Sequence, residues 1–147
     1  TWPDVNYADK TRGGWSPATH LSRLQNLAVA WRKPNTALTA DPKLLAATLR
    51  AFDAWLARDP QGDNWWNNEI GTPQSIGNVC LLLRDHLTDA RTAQSLKILR
   101  RAKLGMTGQN LVWLAGNNIL RACLENDPKL AAEAFSRIWD EIRDDLP

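Results

Sequence analysis

The residues that decide the fold run Gly62-Asp63-Asn64-Trp65-Trp66-Asn67-Asn68-Glu69-Ile70-Gly71-Thr72-Pro73. Neighbouring residues of an α-helix point about 100° apart, so two adjacent tryptophans rarely share one buried face. Polar and turn-forming residues flank this pair, which predicts an interruption between helices and not a simple helix. Tryptophan rings surrounded by amides and carboxylates suit a sugar-binding surface. Burial of both rings in the core beneath a loop is an equally good interpretation.

The composition is typical of one globular domain. The chain has 147 residues, of which 44% are hydrophobic and 23% are charged, and its formal net charge is +2. Lys and Arg are scattered, so no basic cluster indicates a nucleic-acid partner. No apolar run approaches the ~20 residues that a membrane span needs. We therefore expect a single unit over residues 1–147, with neither a nucleic-acid nor a membrane partner.

Outside the tryptophan segment, apolar residues recur at helical spacing and predict an all-α fold. We expect six helices. They run from about Pro17 to Arg32, from Asp41-Pro42 to near Arg58, from Thr72-Pro73 to near His86, from Thr88 to Leu99 or Arg100, from Gln109 to Glu125, and from Asp127-Pro128 to about Asp144.

Two of these helices begin with the same four residues, Asp41-Pro42-Lys43-Leu44 and Asp127-Pro128-Lys129-Leu130. An aspartate N-cap followed by proline is a strong helix start. Equivalent helices on successive hairpins of an α/α array would repeat in this way. Because Asp-Pro is a common helix start, coincidence is the alternative explanation.

The histidines and cysteines form no familiar catalytic constellation. Cys80 and Cys123 lie in apolar helical patterns without a CxxC motif or a nearby histidine, which predicts buried free thiols, although spacing alone does not exclude a disulfide. His20 and His86 match neither a Ser-His-Asp arrangement nor a metal-ligand cluster. We expect His20 to be structural, bonding a neighbouring loop, and we expect no metal or organic cofactor.

A second candidate segment runs Thr107-Gly108-Gln109-Asn110-Leu111-Val112-Trp113. Two glycines, Gly105 and Gly108, interrupt the preceding helix, and Asn110 lies at the start of the next one. A helix start offers free backbone N–H groups and a positive dipole end, which favour an anion. The Asn110 amide could therefore donate to a carboxylate, and a simple capping role is the alternative.

Several motifs occur in an order that resembles polysaccharide lyase family 8, which contains the hyaluronate, chondroitin AC and xanthan lyases. The most specific motif is Asn64-Trp65-Trp66-x-x-Glu69-Ile70-Gly71-x-Pro73. Trp2-Pro3-Asp4-Val5-Asn6-Tyr7, Trp15-Ser16-Pro17 and His20-Leu21-x-Arg23-Leu24 precede it, and Thr107-Gly108-Gln109-Asn110-Leu111-Val112 follows it. The resemblance covers essentially the whole chain.

The resemblance implies the N-terminal part of an α/α toroid, built from antiparallel helical hairpins, and cleavage of uronate-containing polysaccharides by β-elimination. It implies that Trp65 and Trp66 position the polymer, with Asn64 and Asn67 beside them, and that Asn110 neutralises the uronate carboxylate. Hyaluronan or chondroitin is the expected substrate. Xanthan, another uronate polymer, a non-catalytic carbohydrate-binding module and a helical scaffold are the alternatives. A secreted or periplasmic location is expected because such substrates are large.

The chain departs from the family pattern at the catalytic acid and base. The catalytic His and Tyr of the family follow the sixth helix, whereas this sequence ends at Pro147. Tyr7 matches an N-terminal motif, and neither His20 nor His86 matches the catalytic histidine. We therefore expect an incomplete toroid of about six helices that is inactive alone. Its expected partners are an acidic polysaccharide and the rest of the lyase chain, namely the remaining hairpins and the β domains.

Overall fold

A computed structural model describes residues 1–142 and confirms the predicted all-α fold over that range. One turn of π-helix at Asn67–Gly71 (the π-turn) precedes the third helix, and one turn of 3₁₀ helix at Arg84–His86 follows it. The predicted end of the last helix near Asp144 lies outside the described residues. The helices that the structure describes are α1 (Ala18–Arg32), α2 (Pro42–Arg58), α3 (Thr72–Leu82), α4 (Asp89–Leu99), α5 (Gly108–Glu125) and α6 (Pro128–Glu141).

The helices pack as three sequential pairs, α1 with α2, α3 with α4, and α5 with α6. The first members of the pairs form a row, because α3 contacts both α1 and α5. The second members α2 and α4 also contact each other. This layering of helical hairpins is the α/α array that the sequence predicts, over the part of the chain that the structure describes.

The repeated Asp-Pro motif begins the second helix of the first pair and the second helix of the third pair. Asp41 accepts the backbone N–H of Leu44 at 2.7 Å. Asp127 accepts the N–H groups of Lys129 and Leu130, both at 3.1 Å. Each cap contributes about 1 kcal/mol. The two motifs therefore mark equivalent helices of the array, although their pairs are not successive.

Most of the core lies among α1, α2, α3 and α4. Trp55 is fully buried, and Trp15 packs edge-to-face against it with ring centroids 6.2 Å apart. A second and smaller cluster joins the π-turn to α5. It contains the buried residues Ile70, Ala102 and Leu114, with Trp66 and Trp113 packed against them.

One expectation about the core is wrong, because Cys123 is exposed. Its neighbour Ala122 lies on the buried face of α5, and the next residue along a helix points about 100° away. Cys80 is buried as predicted, and burial raises the pKa of its thiol to about 11. Both cysteines are free, and the high pKa keeps Cys80 in its weakly nucleophilic thiol form.

An apolar stripe remains exposed on α6 and just beyond its end. Phe135 is 60% exposed, Trp139 is 77% exposed and Ile142 is 60% exposed. Their spacing of four and then three residues places them on one side of the helix. Exposed apolar patches of this kind mark contact surfaces.

His20 holds the N-terminal segment against α2. It is completely buried, with Nδ1 2.8 Å from the Tyr7 hydroxyl and Nε2 3.0 Å from the Ala51 carbonyl. Because a carbonyl can only accept, Nε2 carries the proton and donates, and Nδ1 accepts the Tyr7 O–H. The Tyr7 oxygen in turn accepts the backbone N–H of Trp2 at 3.1 Å. The prediction that His20 is structural is confirmed.

This neutral imidazole makes folding sensitive to acid. Burial lowers the pKa of His20 from 6.5 to about 4, because the aromatic rings of Trp2, Tyr7 and Trp55 surround it in place of water. The unfolded chain binds the proton more tightly than the folded chain. The stabilising contribution is therefore complete above pH 6.5 and is lost as the pH falls toward 4. The full loss amounts to roughly 3 kcal/mol.

We predict that the free energy of unfolding falls between pH 6.5 and 4, as measured by urea denaturation across that interval. His20→Gln should be less stable at neutral pH, because it loses part of the bonding to Tyr7 and Ala51, but its stability should change less over the same interval. His86→Gln is the matched control, because it replaces the other histidine of the chain and leaves the contacts of His20 intact. An equal decline in His20→Gln would contradict the assignment.

Candidate functional site

The tryptophan segment is helical, which corrects the predicted interruption, whereas α3 begins at Thr72 as predicted. A helical turn at Trp65 and Trp66 leads directly into the π-turn and then into α3. Asn64 begins this helix, since its Oδ1 accepts the Trp66 N–H at 3.0 Å and its Nδ2 donates to the Arg12 carbonyl at 3.0 Å. A π-turn widens a helix locally, and such turns are frequent at functional sites.

Two consecutive asparagines of α5 fix the position of the π-turn. Asn117 is 1% exposed, and its Nδ2 donates to the Ile70 carbonyl at 3.0 Å. Asn118 donates to the carbonyls of Ala102 and Leu114 at 2.6 and 2.8 Å. These bonds join the π-turn, the segment before α5 and α5 itself into one unit. Neither residue was predicted from the sequence, although adjacent amides within an apolar helical pattern are a signal for buried hydrogen bonding.

The two tryptophans line different clefts. Trp65 is 41% exposed and lines a shallow cleft together with Arg12, Asp63 and Asn64. Trp66 is half-buried, and its ring meets Trp113 edge-to-face with centroids 5.6 Å apart. The pair therefore presents two surfaces and not one flat wall, as expected for adjacent helical residues.

Trp66 combines a packing role with an exposed surface. It packs against the cluster around Ile70, and it also lines a cleft of about 300 Å³ between α1 and the start of α3. Asn67 lines the same cleft. The core and surface interpretations of the sequence thus both apply to this residue, whereas Trp65 is a surface residue.

Arg12 is a site residue that the sequence analysis did not single out. Its exposed side chain shares the shallow cleft with Trp65, and its carbonyl accepts the Asn64 amide. The backbone N–H of Asp63 also donates to the Lys10 carbonyl at 3.2 Å, so the N-terminal loop forms the rim of this cleft. No local pattern around Arg12 could have revealed a partner more than fifty residues away.

Asn110 is half-buried in the first turn of α5, and the structure does not support the capping alternative. The N-cap position is Thr107, and no side chain of the capping residue closes that helix end. Glu141 of α6 occupies part of the helix start instead, where its carboxylate accepts the Gly108 N–H. The start of α5 therefore already holds one carboxylate, which is the group expected at a helix N-terminus.

Asn110 shares one side of α5 with the residues that support the tryptophan segment. Trp113 follows it by three residues and Asn117 by seven, and this spacing repeats on one helix face. Trp113 contacts Trp66, and Asn117 bonds the π-turn. The Asn110 amide makes no side-chain hydrogen bond with any residue from 1 to 142, so its donors are free for a ligand.

The family model described as polysaccharide lyase family 8, N-terminal alpha-helical domain, matches residues 1–143. The chain belongs to polysaccharide lyase family 8. It is 32% identical to Chondroitinase-AC of Pedobacter heparinus over 97% of this chain and 21% of that protein. It is 29% identical to a hyaluronate lyase of Thermasporomyces composti over 90% of this chain and 18% of that protein.

The fold agrees with this family. The structure is similar to that of a chondroitinase AC lyase solved as enzyme–oligosaccharide complexes, with a TM-score of 0.88 and 30% identity. That similarity covers 95% of this chain and 21% of the solved one. The helical array is therefore similar to the helical N-terminal region of such toroid lyases, and the chain spans about a fifth of the length of these relatives.

The histidines of this chain are occupied by structural contacts. His20 is bonded to Tyr7 and Ala51, and His86 packs edge-to-face on Trp31 with centroids 5.1 Å apart. Residues 1–142 hold no group of three His, Cys, Asp or Glu side chains placed to bind a metal ion. In the same range, no helix is both long and apolar enough to cross a membrane.

We predict that Gly71→Ala displaces the Trp66 ring, because a Cβ at position 71 would lie 2.6 Å from Trp66 Cζ3. The expected cost is about 1–3 kcal/mol, measured by urea denaturation, together with an altered near-ultraviolet circular dichroism spectrum. Gly116→Ala is the matched control, since a Cβ there would have open space within 4 Å in the described part of the chain, and it should be neutral or slightly stabilising. Wild-type stability in Gly71→Ala would refute the close contact.

Proposed function

We propose that this chain is the substrate-positioning helical part of a lyase that cleaves uronate-containing polysaccharides by β-elimination. The observation that carries the proposal is the family match over residues 1–143. The similar proteins described above are a chondroitinase and a hyaluronate lyase, and both of the polymers in those names contain uronate. We therefore propose hyaluronan or chondroitin as the substrate, with xanthan or another uronate polymer as the alternative.

The chemistry of β-elimination explains the role proposed for Asn110. A base removes the proton at C5 of the uronate, the C4–O bond breaks, and the leaving oxygen takes up a proton. The product carries a C4–C5 double bond. As the C5 proton leaves, negative charge develops on the carboxylate oxygens, and a preorganised donor stabilises it by about 3 kcal/mol, or ~100-fold in rate. Two features of Asn110 support this role. It lies in the first turn of α5, and its amide makes no side-chain hydrogen bond within residues 1–142.

Neither the two histidines nor the tyrosine of this chain lines the clefts at Trp65 and Trp66. His20 is buried and neutral, with a pKa near 4, and Tyr7 is bonded to it. We propose that other parts of the lyase supply the acid and base, and that this chain by itself releases no unsaturated uronate. A non-catalytic carbohydrate-binding module is the second candidate function, and the structural use of His20 and Tyr7 favours it over self-sufficient catalysis.

The exposed cleft at Trp65 is proposed to bind the acidic polymer. A sugar ring stacks on an aromatic face, and the neighbouring Arg12 guanidinium can pair with a carboxylate or a sulfate. We also propose that further toroid hairpins cover the apolar stripe of α6, and that β domains of the lyase complete the assembly. Because polysaccharides of this size stay outside the cell, a secreted or periplasmic location is proposed.

We predict that Trp65→Ala weakens binding of hyaluronan or chondroitin oligosaccharides to this chain, as measured by calorimetric titration, because the stacking surface is lost. Trp139→Ala is the matched control, since Trp139 is also exposed but lies on α6 outside the clefts. The control should bind as the wild type does. Equal binding by the Trp65→Ala and Trp139→Ala variants would remove Trp65 from the substrate surface.

The same oligosaccharides, incubated with this chain alone, should yield no ultraviolet absorbance from unsaturated uronate. In the lyase that carries this chain as its N-terminal helical part, Asn110→Ala should lower kcat by ~100-fold with a smaller change in KM, because the donor acts on charge that develops in the transition state. Asn78→Ala, on α3, is the control. Near-normal turnover by Asn110→Ala would exclude Asn110 from the mechanism.

A further inference from the structure

We infer that the cleft between α1 and the tryptophan segment is a subsite for an uncharged sugar ring of the polysaccharide. The inference rests on the proposed function for the polymer, and it adds a second site beside the acidic one at Trp65. The cleft has a volume of about 300 Å³. Pockets for small molecules begin at this size, ~300 Å³.

The lining of this cleft carries no charged side chain. It is built from tryptophan, small apolar residues, hydroxyls and amides, contributed by α1 on one side and by the π-turn and α3 on the other. A carboxylate placed there would lose water without gaining a cation, which is unfavourable. The shallow cleft at Trp65, in contrast, contains both Arg12 and Asp63. Of the two clefts, only the one at Trp65 therefore offers a cation to a sugar carboxylate.

The amides of the cleft are free, unlike the amides that hold the fold together. Asn64, Asn68, Asn117 and Asn118 all bond backbone groups. Within residues 1–142, no side-chain hydrogen bond engages the amides that line the cleft, which belong to Gln25, Asn26, Asn67 and Gln74. Amides offer both a donor and an acceptor, which is what sugar hydroxyls and acetamido groups require.

The remaining walls suit a sugar as well. The half-buried Trp66 lines the cleft, and aromatic rings pack against the C–H faces of pyranoses. Trp15 also borders the cleft but is only 5% exposed. The lining also includes Thr72, which is 1% exposed and whose hydroxyl finds no hydrogen-bond partner in the described part of the chain. Buried hydroxyls without a partner are uncommon, so this one points to a ligand or water that completes the site.

The test uses two tetrasaccharides that differ in charge, namely chitotetraose, which is neutral, and tetragalacturonate, which is acidic at every ring. Chitotetraose should shift the indole N–H signal of Trp66 in nuclear magnetic resonance titrations of this chain, and tetragalacturonate at the same concentration should not. Ser22 lines the cleft from an exposed position of α1, so Ser22→Trp should fill the cleft and abolish the chitotetraose shift. Ser136→Trp, on the exposed surface of α6, is the matched control.

Two results would overturn the inference. One is an unchanged chitotetraose titration in a Ser22→Trp variant that circular dichroism shows to be folded. The other is an equal Trp66 shift with tetragalacturonate. Chitotetraose carries no carboxylate, so its binding does not depend on Arg12 or Asn110. If the wild-type chain binds hyaluronan through Trp65 but does not bind chitotetraose, the subsite alone is rejected. If it binds chitotetraose but shows no Trp65-dependent binding of hyaluronan, the proposed function alone is rejected.

Discussion

The hydrogen bond from Asn117 to the Ile70 carbonyl is the constraint on which the proposed substrate surface depends. It joins α5 to the π-turn, and the π-turn fixes how Trp65 and Trp66 are directed relative to α3. A buried carbonyl that lost this donor would cost about 1–3 kcal/mol. The bond therefore keeps an irregular helical turn in place within an otherwise regular array. Asn110 lies on the same helix face, so one helix positions both the aromatic residues and the proposed carboxylate donor.

The structure divides its polar groups between architecture and recognition. Amides that bond backbone atoms close loops and support the π-turn, as Asn68 does by pairing both its donor and its acceptor with Gly62. The amides that line the cleft between α1 and the tryptophan segment remain unbonded within the described residues. The ionisable groups divide in a similar way, because His20 is neutral and enclosed whereas Arg12 is exposed beside Trp65. The residues proposed for recognition thus sit on a frame that other hydrogen bonds hold in place.

Helix order and the Asp-Pro caps could be predicted from the sequence because both arise from local chemistry. Asp41 and Asp127 act within their own first turn, and apolar periodicity located all six described helices. The π-turn could not be predicted, since its stability comes from Asn117, forty-seven residues away from Ile70 in the sequence. Arg12 could not be predicted for the same reason, because its loop contacts Asn64, which is distant in the sequence. Cys123 was misplaced because an apolar neighbourhood does not fix the rotational phase of a helix.

The enclosed imidazole of His20 also makes unfolding a proton-uptake reaction. Between pH 4 and 6.5 the unfolded chain takes a proton from the buffer that the folded chain does not hold. The heat of unfolding in that interval then includes the ionisation heat of the buffer. Two buffers of equal pH but different ionisation enthalpy would give different calorimetric enthalpies for the same transition, and the difference would count the protons bound.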